Sequence, residues 1–83
     1  MDFEERTTLD RLYEELEDRD LASRVWGLAR DTAAAYLSHS TSALRLLGMI
    51  QMLALLTGDS ESMVARDLGA YRRLVDGGID LDR

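Results

Sequence analysis

The segment Ser42–Thr57, SALRLLGMIQMLALLT, constrains this chain more than any other, because it is spaced as a helix yet apolar almost all the way round. Ala43, Leu46, Leu47, Ile50, Leu53 and Ala54 make one face. Met49, Met52, Leu55 and Leu56 occupy most of the remainder, with Arg45, Gly48 and Gln51 as the only relief. A helix of this kind has to be covered on nearly all sides. Lipid is not the cover, since the stretch falls short of the roughly 20 residues needed to span a bilayer. The chain has 83 residues, and a second core would need at least about 50 more. One domain of this size buries only about two thirds of its unfolded surface, so its own resources for covering such a helix are small.

The remaining sequence is helical as well. Proline is absent, and the leucines recur at i, i+3, i+4 and i+7. Leu9, Leu12, Tyr13 and Leu16 define a first helix over about residues 8–19. Thr7 with Asp10 three residues later forms a capping start, Asp2 with Glu5 offers an earlier one, and Phe3 adds a turn or a staple. A second helix, about 20–38, starts on Asp20 and buries Leu21, Val25, Leu28, Ala29, Ala33, Tyr36 and Leu37, widened by Trp26. Glu15–Arg19 and Asp20–Arg24 have the favourable i, i+4 order. Ser38-His39-Ser40-Thr41-Ser42 is a loop, since short hydroxyl side chains compete for backbone hydrogen bonds. The third helix spans about 42–57. Thr57-Gly58-Asp59-Ser60 then stops one helix and starts another. The fourth, about 60–76, directs Val64, Leu68, Tyr71 and Val75 inward and ends at Gly77-Gly78, with Ile79 and Leu81 packing the tail back. The expected fold is all-α, a compact four-helix bundle-like domain, residues 1–83, with the hydrophobic third helix at its centre.

Magnitudes then point outward. Four side chains of the size of Met49, Met52, Leu55 and Leu56, each worth about 1.5–3 kcal/mol on burial, rival the whole stability of a small domain, roughly 5–15 kcal/mol. Left in water they would be closed by a copy of the chain or by another protein, and two-fold self-association is the commonest solution. The expected surface comprises Met49, Met52, Leu55 and Leu56, with Arg45, Trp26 and Arg30 at its rim. Methionine suits a surface that adapts to its partner, and Trp and Arg are favoured interface anchors. The competing account makes the Met and Leu stripe ordinary core.

Charge and composition exclude several classes of function. Sixteen acids and ten bases give a formal charge of −6, which repels nucleic acid and anionic membrane unless the bases cluster. Cysteine is absent, removing disulfides, thiolate metal sites and cysteine nucleophiles. All ten bases are arginine and lysine is missing, a composition that suits a GC-rich bacterial, archaeal or viral genome. The acidic first residues carry no secretory pattern, so a cytoplasmic location is expected.

No motif specifies a reaction. His39, the one histidine, has no second ligand at a metal-binding spacing and no triad context, and reads as a solvated loop residue. The acids Glu14, Glu15, Glu17, Asp18 and Asp20 read as a solvated face, with a basic partner as the functional alternative. DGGIDLD at Asp76–Asp82 lacks the order of a calcium loop. The stretch SMVARDLGAYRRLV resembles a helix-turn-helix in its small-residue spacing, with Arg66, Arg72 and Arg73 available for phosphates or base edges, while Asp67, Asp76, Asp80 and Asp82 cancel the local field. The sequence thus supports a non-enzymatic interaction module without cofactor or metal, a small acidic adaptor or inhibitor held as a homodimer, with a phage or mobile element as one source that the composition suits. A DNA-binding regulator acting through the fourth helix is the alternative.

Overall fold

The computed structural model describes residues 7–81. Among them are five helices and no strand: α1 (Thr8–Leu16), α2 (Arg19–Leu37), α3 (Ala43–Thr57), α4 (Glu61–Asp67) and α5 (Tyr71–Asp76). Helix α3 packs against α1, α2 and α4, and α1 packs against α2 and α4 as well. Leu12, Ala22, Ala29, Ala33, Leu46, Ile50, Leu53, Val64 and Leu74 form the buried core. The Cα radius of gyration is 12.6 Å, close to the roughly 12 Å expected of a compact chain of this length. No helix of the described residues is long and apolar enough to cross a membrane.

Local capping chemistry fixes most helix ends. The Thr7 hydroxyl accepts from the Asp10 N–H, and the Asp10 carboxylate accepts from the Thr7 N–H, closing the expected capping box. The earlier start at Asp2, Glu5 and Phe3 lies outside the described residues. Helix α1 ends sooner than expected, at Leu16, because Glu17 turns left-handed (φ 59°). Asp18, not Asp20, therefore caps α2, its carboxylate accepting from the Leu21 N–H at 3.0 Å. The early stop also separates Glu15 from Arg19 by a helix end; Arg19 instead lies 3.9 Å over the Tyr13 ring. Asp20 and Arg24 do pair at 3.1 Å, both well exposed, and contribute a few tenths of a kcal/mol.

The fourth helix is not continuous. Gly69 adopts φ +75°, and the Gly69 and Ala70 N–H groups donate to Arg66 O and Ala65 O, a Schellman closure of α4. The break resets the helical phase. Leu74 replaces Val75 as the fully buried residue of α5, and Val75 is exposed. Gly69 thus serves its own backbone rather than close packing, since a Cβ there would meet nothing within 4 Å. Gly78 (φ +91°) and Ile79 close α5 in the same way, and buried Leu81 returns the tail to the core as expected. Helix α2 ends on a third such closure, His39 N–H to Tyr36 O and Ser40 N–H to Ala35 O, with His39 itself left-handed at φ 64°.

Two acids clasp α1 from the far end of the sequence. Asp67 Oδ2 accepts from the backbone N–H of Thr8 at 2.8 Å and from its hydroxyl at 2.7 Å. Thr8 is fully buried, so this carboxylate satisfies an N–H at the start of α1 that would otherwise have no partner. Arg11 Nε lies 3.0 Å from Asp59 Oδ1. The contact is a charge pair rather than a directed hydrogen bond, because neither Nε nor Asp59 Oδ2 has a hydrogen-bond partner among the described residues.

Removing the carboxylate in Asp67→Ala should cost about 2 kcal/mol, since a buried N–H and hydroxyl lose a charged acceptor; urea unfolding followed by circular dichroism measures this. His39→Gly should act oppositely, raising stability by about 0.5–1 kcal/mol, because glycine takes the left-handed conformation without the Cβ conflict.

Candidate functional site

Helix α3 presents two unlike faces. Leu46, Ile50, Leu53 and Thr57, at i, i+4, i+7 and i+11, are buried against the neighbouring helices. On the opposite side Leu44, Gly48, Gln51 and Leu55 repeat the same spacing. Leu55 is 86% exposed, Leu44 76% and Met52 44%. Leu56, at 37%, flanks them. The helix contains no acid, and Arg45 is its one charged residue. The result is an uncharged, leucine-rich strip turned outward on a chain of net charge −6.

The other sequence-derived residues divide around this strip. Met52, Leu55 and Leu56 belong to it. Met49 is half-buried and packs against the core. Arg45 is exposed on the flank of α3 that turns toward α2. There it lines a cavity of about 250 Å³ with Asp31, Thr32 and Ala35 of α2 and Ser40 and Thr41 of the connecting turn. Trp26 and Arg30 are not brought to the strip. They share a face with Ser23, whose hydroxyl meets the Tyr13 hydroxyl at 3.0 Å, so they sit on the α1 side of α2. The flank of α2 nearest α3 carries Leu28 and Leu21 instead, one and three turns from Thr32. Both were expected to be buried, and both are exposed.

Sequence reasoning missed Leu44, the second most exposed large apolar side chain among the described residues. Its signal was present: the residue lies at i−11 from Leu55 on the face opposite Leu46, Ile50 and Leu53.

The second flank of α3 borders an open cleft of about 670 Å³, lined by Gln51, Ala54 and Leu55, by Asp59, Ser60 and Glu61, and by Leu81 of the tail. Leu55 thus belongs both to the strip and to the mouth of this cleft. Among the described residues no group of three or more His, Asp or Glu side chains could hold a metal ion.

The arginines of the alternative reading occupy α4 and α5. The Arg66 guanidinium lies 4.3 Å over the Tyr71 ring, and Arg72 and Arg73 are exposed. Being adjacent in sequence, they point about 100° apart on a helix. Helix α5 has six residues, about 9 Å of length, short for a recognition helix laid along a major groove.

Comparison with protein-family models, with curated proteins and with solved structures gives no match.

At about 50 mM salt, where phosphate contacts are strongest, the chain should pass immobilised duplex DNA without retention, and Arg72→Ala with Arg73→Ala should change nothing. Retention that this double substitution removes would establish α4–α5 as a nucleic-acid reader.

Proposed function

We propose that this chain is a non-enzymatic protein–protein interaction module, a small acidic cytoplasmic adaptor or inhibitor that works through the outer face of α3 and self-associates there. The observation that carries this reading is the exposure of Leu44 and Leu55 at 76% and 86%. Two leucines on one turned-out strip, with exposed Met52 and Leu56 beside Leu55, present the kind of apolar surface that marks an interaction site. Leu21 and Leu28 of α2 extend it on the side of Met52 and Leu56. The arrangement fits a bundle in which α4 and α5 together stand for one broken fourth arm, with α3 central once a partner is in place.

Charge supports the same surface. Helices α1, α2, α4 and α5 each carry at least one acid, and α3 carries none. Two acidic molecules can approach through α3 without placing like charges in contact, which they cannot do as readily elsewhere. Methionines at the edge allow the surface to adjust its shape.

Light scattering should report a dimer mass. Leu55→Glu should reduce it to that of the monomer while leaving the helical circular dichroism unchanged, because Leu55 makes little contact within its own chain. A monomer mass for the unsubstituted protein, or a Leu55→Glu protein that still dimerises, would remove the basis of the proposal.

A further inference from the structure

Resting on the reading of α3 as the self-association surface, we infer that the dimer is antiparallel, with Leu44 of each copy closing the cleft beside Leu55 of the other. The strip is self-complementary when reversed. Leu44 and Leu55, Leu47 and Met52, and Gly48 and Gln51 are disposed symmetrically about the middle of the helix. A two-fold axis through that middle sets each residue against its counterpart, as a closed isologous contact requires. Leucine then meets leucine at both ends. In the middle Gly48 faces Gln51, and the absence of any heavy atom within 4 Å of a Cβ built at Gly48 leaves room for the amide.

The cleft argues for a second copy as the occupant. Its volume of about 670 Å³ opens beside Gln51, Ala54 and Leu55, the turns that the N-terminal half of a reversed α3 would cross. Side chains on a helix lean toward its N-terminus, so Leu44 of one copy leans past Leu55 of the other, toward the cleft whose lining includes Ala54 and Leu81 beside Asp59, Ser60 and Glu61.

Charge selects the same direction. The N-terminal end of α3 carries Arg45 and the positive end of the helix dipole, whereas its C-terminal end carries the negative end of the dipole, with Glu61 just beyond it. Antiparallel pairing sets the positive end of each copy beside the acidic end of the other, twice. Parallel pairing sets like ends together.

The chain contains no cysteine, so introduced cysteines report cleanly. Leu44→Cys and Leu55→Cys proteins, each made singly, are mixed, equilibrated and mildly oxidised, and the products are separated by mass under denaturing conditions. The expected product is the mixed disulfide, several-fold in excess of either homodisulfide, because within one α3 the two positions are about 16 Å apart. Homodisulfides in excess from a protein of dimer mass would overturn the antiparallel register while leaving the interaction surface standing. A monomer mass with no cross-link above that of the urea-unfolded mixture would overturn both. As a second measure, Leu44→Arg added to Leu55→Glu should restore the dimer that Leu55→Glu alone loses, whereas parallel pairing would give no such rescue.

Discussion

The geometry of one helix surrounded by too few others governs this molecule. Helices α1, α2 and α4 all lie against the Leu46, Ile50, Leu53 and Thr57 side of α3. Neighbours about 8–10 Å away on one side shield that side and its flanks and cannot shield the far one. Ala43, Leu47, Met49 and Ala54, on the flanks, are accordingly half-buried. Leu44 and Leu55, on the far side, stay in water. With α4 and α5 only seven and six residues long, nothing among the described residues reaches round to them.

That shortfall follows from how the second half of the chain is used. Asp67 is committed to the first turn of α1, and Asp59 to Arg11, so α4 is held where it can fasten the start of α1. A Schellman turn at Gly69 then redirects the chain into α5. A straight helix over residues 61–76 would have been about 24 Å long. The break divides it into two short helices of seven and six residues. The same clasp leaves the cleft between α3 and the tail open, since Leu81 returns to the core beneath it rather than across its mouth.

How much of this was legible in the sequence depends on whether the deciding interaction is local. Thr7 with Asp10, Asp20 with Arg24, and the Thr57–Ser60 punctuation act over three or four residues, and all appear where side-chain chemistry places them. The end of α1 turns on Glu17 entering the left-handed region, a conformation that no residue type there announces. Gly69 was ambiguous for a different reason. Glycine marks either a close approach of helices or a left-handed helix end, and only the contact environment separates the two. The fate of Leu21 and Leu28 was the least legible. Their spacing admits burial, and whether they are buried depends on which flank a neighbour occupies. The outward strip was readable as a surplus of apolar residues on α3 that includes Met52, Leu55 and Leu56, and the helical spacing that adds Leu44 to it was present as well.

The distribution of acids gives that surplus a direction. A chain of net charge −6 resists contact with its own copies over most of its surface, at a range set by the Debye length of about 8–10 Å in ordinary salt. An apolar patch ringed by acids would be soluble and monomeric, because approach would cost electrostatic energy before burial could return it. Here the acids are withheld from α3 itself, and Asp59 and Glu61 stand only past its C-terminal end. On the proposed reading, repulsion elsewhere suppresses wrong encounters and the neutral strip is the surface of least resistance. Under the proposed pairing, hydrophobic burial supplies the affinity and the pattern of charge supplies the choice of face. Specificity of this kind needs no buried polar contact, which agrees with a strip whose one polar side chain, Gln51, lies beside its smallest residue.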